Sequence, residues 1–257
     1  MPAAAAPLAL HRFDAPADWR AIELLSDVHL QPEAPRTFDA WRKRMLDSDA
    51  DAIFVLGDLF EYWIGDDDLD EPFNASIVTA LAECSRAGPA LHIMHGNRDF
   101  LLNGDFARAC SACLIEDPHA IDLLGTRTLL MHGDTLCTDD VDYQRFRAEV
   151  RTPDWKKRML STSLALRRQQ AEALRRTSEF EKKGKAPELM DVNTGAVEAV
   201  LRKHGYPRVI HGHTHRPARH EHHVDGRICE RWVLADWYRS GSYLRCDERG
   251  IAPVAFP

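Results

Sequence analysis

Ala52-Ile-Phe-Val-Leu-Gly-Asp58 decides how this chain is to be read. A short unbroken apolar run that halts at glycine reads as a strand buried on both faces. The Gly-Asp step then leaves a carboxylate at the strand's carboxyl end. The same grammar recurs outward in both directions. Upstream, Ile22-Glu-Leu-Leu25 runs into Ser26-Asp27-Val28-His29. Downstream, Leu91-His-Ile-Met94 precedes Gly96-Asn97-Arg98-Asp99, Thr128-Leu-Leu-Met131 precedes His132-Gly133-Asp134, and Arg208-Val-Ile210 precedes His211-Gly212-His213-Thr214-His215. Stretches of helical length, around Phe38–Leu46 and Ile77–Ala82, separate the first three runs. This alternation predicts a layered α/β fold rather than an all-β sandwich. Arg231-Trp-Val-Leu234 and Ser242-Tyr-Leu-Arg245 read as two further strands, placed in a second sheet.

Ligands of open α/β sheets gather beyond the carboxyl ends of the strands. Here every strand ending carries Asp, Asn or His, and packing alone gives no reason for that. A donor set without cysteine suits Mn²⁺, Fe or Zn²⁺, and mixed oxygen and imidazole donors lean towards Mn²⁺. The neutral amide of Asn97 keeps the ligand charge low. Two ions about 3.5–4 Å apart need a bridging group, for which a carboxylate is best suited. Asp58, in the turn after the second strand, is the natural bridge.

At 257 residues the chain can bury a full core, and 44% hydrophobic with 28% charged residues excludes a disordered or bilayer-embedded protein. A net charge of −7 argues against nucleic-acid binding. Cys84, Cys110, Cys113, Cys137, Cys229 and Cys246 are scattered, which suggests reduced thiols in a cytosolic protein. Cys110-Ser-Ala-Cys113 lacks a matching second pair and is read as structural. The start lacks the basic flank and apolar stretch of a signal peptide. No apolar run is long enough to span a bilayer, so the expectation is a soluble protein, at most attached to a membrane surface.

Between Val141 and Lys185 the composition inverts: thirteen Lys or Arg face six Asp or Glu, leaving twenty basic and thirty-four acidic residues elsewhere. Trp155, Met159, Leu160, Leu164, Leu166 and Leu174 recur there at roughly helical intervals. One or two basic amphipathic helices are therefore expected between the fourth and fifth strands. Two readings stay open: a solvated hairpin over the sheet edge, or a lid holding an anionic, partly apolar substrate and resting on an acidic membrane.

The series Asp-x-His, Gly-Asp, Gly-Asn, His and Gly-His-x-His resembles that of the calcineurin-like metallophosphoesterases. Six longer stretches carry the likeness further. They are Ser26-Asp-Val-His-Leu30, Gly57-Asp-Leu-Phe-Glu-Tyr-Trp-Ile-Gly-Asp66, His95-Gly-Asn-Arg-Asp-Phe100, Met131-His-Gly-Asp-Thr-Leu-Cys-Thr-Asp-Asp140, Met190-Asp-Val-Asn193 and Ile210-His-Gly-His-Thr-His-Arg-Pro217. They are similar to the branch of that family acting on UDP-2,3-diacylglucosamine in lipid A biosynthesis, from about Ile22 to Tyr243. The resemblance implies a four-layer αββα metallophosphoesterase sandwich over 21–257, after an N-terminal extension 1–20. It also implies an inserted helical lid at about 138–200, over an acyl-chain chamber.

The resemblance further implies two Mn²⁺ ions per chain. Asp27, His29 and His213 would hold one, Asn97, His132 and His211 the other, with Asp58 shared. Asn97 and Arg98 would be catalytic. Substrate contacts would come from Asn97, Arg98, Asp140, Tyr143, Arg175, Ser178, Lys182, Lys185 and His213, Lys185 standing at a fixed distance before Met190. The implied reaction is attack by activated water on the α-phosphorus, giving UMP and 2,3-diacylglucosamine 1-phosphate. The implied setting is a monomer bound peripherally to the anionic cytoplasmic face of the inner membrane.

Arg98 stands where many of the wider family have a proton-donating His. Arginine stays protonated, so the expected leaving group is one that departs well as an anion, a phosphate rather than an alkoxide. Other departures are the highly charged Glu181-Lys-Lys-Gly-Lys185 and Ala235 in place of glycine. Asp99 is read either as orienting Arg98 or as a surface ion pair. Asp66-Asp-Asp-Leu-Asp70 is expected to be a solvated turn, and His220, His222 and His223 a polar hairpin edge. His92 and His95 are expected in or near the core, His215 to support its turn, and Tyr62 and Trp63 to pack near the site mouth. A general phosphoesterase for dinucleoside polyphosphates or phosphoproteins is disfavoured by the basic-apolar insertion. A non-catalytic scaffold is disfavoured by the complete ligand set.

Overall fold

The five apolar runs divide between two sheets. The computed structural model describes residues 12–256 except Asp14, Ala17 and 185–189, with the backbone alone described at Arg12 and over 178–184. In chain order the elements are β1 (Arg12–Phe13), β2 (Ile22–Leu25), α1 (Pro35–Leu46), β3 (Ala52–Leu56), α2 (Pro72–Ala87), β4 (Ala90–Met94), α3 (Gly104–Cys110), β5 (Ala112–Ile115), β6 (His119–Leu123), β7 (Thr126–Met131), α4 (Val141–Val150), α5 (Pro153–Leu160), α6 (Leu164–Gly184), α7 (Thr194–His204), β8 (Arg208–His211), β9 (Ala218–Val224), β10 (Arg227–Val233), β11 (Gly241–Asp247) and β12 (Gly250–Phe256). One sheet runs β12-β11-β2-β3-β4-β5, the other β1-β6-β7-β8-β10-β9.

Parallel pairing aligns the strand ends that matter. Leu25 is opposite Val55 and Leu56 opposite Met94 in the first sheet. Met131 is opposite His211 in the second. The motifs that follow these strands therefore emerge together at one edge.

Four layers explain why the strands read as continuous apolar runs. Leu24, Phe54, Leu56 and Met94 meet Ile121, Leu130 and Ile210 between the sheets. Outside the first sheet, Trp41, Met45, Ile77 and Leu81 of α1 and α2 cover Ile53, Val55, Leu91 and Ile93. Outside the second, Val197 and Leu201 of α7 cover Leu129, Met131 and Val209. Each such fully buried side chain contributes about 1.5–3 kcal/mol. Helix boundaries follow local chemistry: the Glu71 carboxylate accepts from the amides of Phe73 and Asn74 at 2.9 and 3.0 Å, and Asn193 caps α7 through Ala196.

The αββα architecture is as expected, but three details differ. The two C-terminal strands do not share a sheet: β10 extends the second sheet beside β8, and β11 extends the first beside β2. The basic stretch holds three helices, α4 to α6, because Thr152 and Pro153 start a new helix that Ser161 to Ser163 end. The acidic run at Asp66 is not a solvated turn. Asp66 accepts from the Trp63 indole and from the amides of Asn103 and Phe106. Asp67 pairs with the buried Arg167, and Asp68 with Arg168 of α6. Of the three only Asp68 is buried; Asp67 stays exposed while pairing with Arg167, and Asp66 is satisfied by indole and amide donors without a cation. Among the described residues, no helix is long and apolar enough to cross a membrane.

Candidate metal centre

At the shared edge the backbone is bent into conformations that L residues seldom adopt. Asp27, His29, Asp58, His213 and His215 all have positive φ, between 52° and 67°. Such strain persists where surrounding structure over-determines it, and it concentrates at functional sites. A ladder of main-chain bonds fixes these turns: the Asp27 amide donates to the Gly57 carbonyl, His29 to Asp58, and Gly212 to His132, at 2.9–3.1 Å. Gly96 and Gly212 are glycine for steric reasons. A Cβ on Gly96 would run into the Asp58 carboxylate, and one on Gly212 into Asp27 and Ser26.

Asp27, Asp58 and His132 are buried, with donor atoms mutually within 4.8 Å, and Asp27, His29 and His215 form a second such group. The Asn97 carbonyl oxygen lies 2.9 Å from both His132 Nε2 and His213 Nδ1. Asp27 Oδ2 accepts from the Ser26 hydroxyl at 2.6 Å and the His213 amide at 2.8 Å. Asp58 Oδ1 accepts from the Arg98 amide at 2.8 Å. His211 is buried beside this cluster, its Nδ1 2.8 Å from the Gly212 carbonyl and its Nε2 3.3 Å from Arg231. Six of the seven expected ligand residues thus face one another. His211 is in neither ligand group and turns its Nε2 towards Arg231.

The field in this pocket calls for a cation. Burial would lower the pKa of His132, yet Asp58, Asp134 and Asp27 raise it to about 9. Burial would raise Asp27, but its hydrogen bond to His215 and the charges of His215, His132 and His29 hold it well below the usual carboxylate range. His213, by contrast, is pushed down to about 4 by burial and by His132. Buried carboxylates mixed with imidazole and amide donors fit a pair of divalent cations of borderline hardness.

Arg98 is held from two sides. Its Nη1 pairs with Glu61, and its Nε lies 3.8 Å from Asp58 Oδ2. Asp99 takes no part in this: its oxygens accept from the Gly96 and Leu59 amides at 2.7 and 2.8 Å, bracing the Asn97 loop against the Asp58 turn. Burial and the Asp58 charge raise the Asp99 pKa to about 7. The helical insertion reaches the same place. The Tyr143 ring lies 5.9 Å from that of His213 and its hydroxyl donates to Asp134 at 2.7 Å. The Arg175 Nε is 3.2 Å from Glu61, and Asp140 caps α4 at the Tyr143 amide. Lys185 lies outside the described residues, as do the side chains of Ser178 and Lys182.

His92 and His95 are in neither ligand group; His92 stacks on Phe54 at 4.5 Å and His95 bonds the Leu102 carbonyl at 2.8 Å. His220, His222 and His223 lie on the outer strand β9, the expected hairpin edge. The Trp63 amide donates to the Arg98 carbonyl at 3.1 Å, but its ring is buried between Phe60 and Phe106 instead of lining a mouth. Sequence reasoning missed Glu61, Asp236, whose carboxylate is 3.4 Å from His215, and Tyr238, whose ring stacks on His29 at 5.1 Å. Only Glu61 left a signal, as an acidic residue in the long Gly57 motif.

The family model of calcineurin-like phosphoesterases matches residues 22–217. A protein from Aromatoleum aromaticum called UDP-2,3-diacylglucosamine hydrolase is 50% identical over 234 residues, 90% of this chain and 94% of that protein. Proteins of the same name from Chromobacterium violaceum and Cellvibrio japonicus are each 44% identical, covering 90% and 89% of this chain and 97% and 95% of theirs.

Proposed function

This chain belongs to the calcineurin-like phosphoesterases, together with relatives named UDP-2,3-diacylglucosamine hydrolase, and from that membership we propose that it cleaves the pyrophosphate of UDP-2,3-diacylglucosamine. The products are UMP and 2,3-diacylglucosamine 1-phosphate, a step of lipid A biosynthesis. The observation that carries this reading is a groove of about 570 Å³ between α4, α5 and α6, lined by Phe146, Trp155, Met159 and Leu174. A phosphoesterase for soluble phosphates has no use for an apolar groove there; a diacylated sugar does. Helix α6 puts Leu174 in the groove and Arg175 on Glu61 beside the metal centre, so one helix serves as a lid for acyl chains and headgroup.

Two Mn²⁺ ions, one held by Asp27, His29, Asp58 and His213 and the other by Asp58, Asn97, His132 and, with its Nε2 turned from Arg231, His211, would supply Lewis acidity and an activated water. His215, close to Asp27 and His29, supports the first set. Arg98 offsets negative charge growing on the phosphate oxygens. Burial opposes its charge, but Glu61 and Asp58 push its pKa above the usual value. It stays protonated and donates no proton, which suits a sugar 1-phosphate leaving as an anion. Tyr143, Arg175 and Asp140, with Ser178, Lys182 and Lys185, are assigned to the sugar phosphate and acyl amides.

The insertion's exposed Val141, Leu160 and Leu166 lie among its Lys and Arg residues. That surface suits a monomer resting peripherally on an anionic inner-membrane leaflet, each basic residue contributing about 1 kcal/mol. Assays with Mn²⁺ on UDP-2,3-diacylglucosamine, UDP-N-acetylglucosamine and diadenosine tetraphosphate test the reading. Strong preference for the acylated substrate is expected; equal rates on all three would refute it.

A further inference from the structure

One carboxylate in the site touches three groups that the proposed reaction uses separately. Glu61 is only 4% exposed. Its Oε1 pairs with Arg98 and lies 3.2 Å from the Arg175 Nε, while its Oε2 faces His29 Nδ1 at 3.3 Å. His29 comes from the turn after β2, Arg98 from the turn after β4, and Arg175 from α6. We propose that Glu61 is a positioning residue that couples the helical lid to the metal centre, orienting His29, Arg98 and Arg175 together. The inference rests on the function proposed above.

The chemistry follows from the two oxygens. The 3.3 Å contact between His29 Nδ1 and Glu61 Oε2 is an ion-pair distance without hydrogen-bond geometry. A small turn of the ring that aimed Nδ1–H at this carboxylate would leave the Nε2 lone pair for a cation and raise ligand basicity. Here Nε2 points into the site, 3.9 Å from Asp27 Oδ1. The other oxygen takes two guanidinium groups, one from the core and one from the lid. The position of α6 therefore places Arg175 beside the same atom that pairs with Arg98. The neighbouring residues extend this contact as a rail. Arg167, almost wholly buried, donates to the Ile64 carbonyl at 2.6 Å and to Asp67 at 2.8 Å, and Arg168 pairs with Asp68. Gly65 leaves room for the Arg167 guanidinium, which a Cβ there would strike. The segment from Glu61 to Asp68 thus receives α6 along two turns, with Glu61 at its catalytic end.

The test compares wild type, Glu61→Gln, Arg175→Gln and the double variant. Mn²⁺ affinity is measured by calorimetry without substrate, and kcat and KM with UDP-2,3-diacylglucosamine at saturating Mn²⁺. Glu61→Gln is expected to weaken Mn²⁺ binding about 10–100-fold and to lower kcat at least tenfold. Arg175→Gln is expected to raise KM and leave Mn²⁺ affinity unchanged, and the double variant to lose less than the product of the two single losses. Unchanged Mn²⁺ affinity in Glu61→Gln, or losses that simply multiply, overturns the proposal. If Glu61→Gln does not fold, Glu61→Asp keeps the charge but cannot reach all three partners; wild-type constants in that variant overturn it equally. A wild type inert towards the acylated substrate sinks the function reading, while the Mn²⁺ measurements still decide whether Glu61 sets His29.

Discussion

Asp27, His29 and Asp58 sit at φ of 52° to 53°, a region most side chains avoid, and each does so to aim a donor atom at one point. The cost is met by main-chain bonds between adjacent strand ends and by glycines that let carboxylates come close. Gly96→Ala shows how little slack there is, since the new methyl meets the Asp58 carboxylate and amide. Overpacking of this kind costs about 1–3 kcal/mol. Loss of several degrees of melting temperature and weaker Mn²⁺ binding are expected, followed by thermal denaturation and calorimetry; a variant matching wild type in both contradicts the steric account. Arg98→Lys keeps the charge but loses the planar fork that joins Glu61 to the site. A fall of at least tenfold in kcat with little change in Mn²⁺ affinity is expected from steady-state kinetics. The candidate ligand residues were legible because each follows an apolar run. Glu61 was not, because its partners come from three distant segments and no spacing rule links them.

At the scale of elements, the sequence marked the buried strands through their apolar runs, and the helices between them through their length. It could not assign strands to sheets. Ala52–Leu56 and Thr128–Met131 read alike because both are covered on two faces, yet they lie in opposite sheets. The acidic run at Asp66 misled for a related reason: exposed and paired carboxylates share one spelling, and only the fold brings Arg167 and Arg168 onto them. That pairing has a consequence for α6. Arg167→Ala leaves the Ile64 carbonyl without this donor and Asp67 without this cation, a cost of about 1–3 kcal/mol. Faster tryptic cleavage within α6 is expected, together with a fall in melting temperature of roughly 2–12 °C at about 2–4 °C per kcal/mol. Equal cleavage rates in variant and wild type speak against the rail. Lys157→Glu, on the exposed face of α5, is expected to weaken binding to anionic vesicles at least fivefold, from about 1 kcal/mol per basic residue. Sedimentation with vesicles of rising anionic content measures it, and no change removes α5 from the membrane surface.

The whole molecule is a sandwich whose two sheets meet at the candidate metal site, and its stability should report both the interior and the site. His92, stacked on Phe54, has its pKa lowered to about 4 by burial, against 6.5 when unfolded. The unfolded chain takes up this proton first, so stability from this group is complete above pH 6.5 and declines as pH falls towards 4. His92→Phe is expected to flatten that acid limb in thermal melts taken across the range; an identical limb assigns it elsewhere. The metal acts in the opposite sense. Asp27, His29 and Asp58 follow strands of the first sheet, and His132, His211 and His213 follow strands of the second. A cation held by both groups binds only when the sheets are stacked, so it stabilises the folded chain by mass action. At a hundred times its Kd the gain is about 2.7 kcal/mol, and at about 2–4 °C per kcal/mol for a chain of this size the melting temperature should rise by roughly 5–10 °C. Removal by chelation should reverse the rise, and Asp58→Ala, which takes away the shared carboxylate, should abolish it. An equal rise in Asp58→Ala would place the ion at another position, such as the histidines of β9, and would separate the sheet edge from the metal that its residues are arranged to hold.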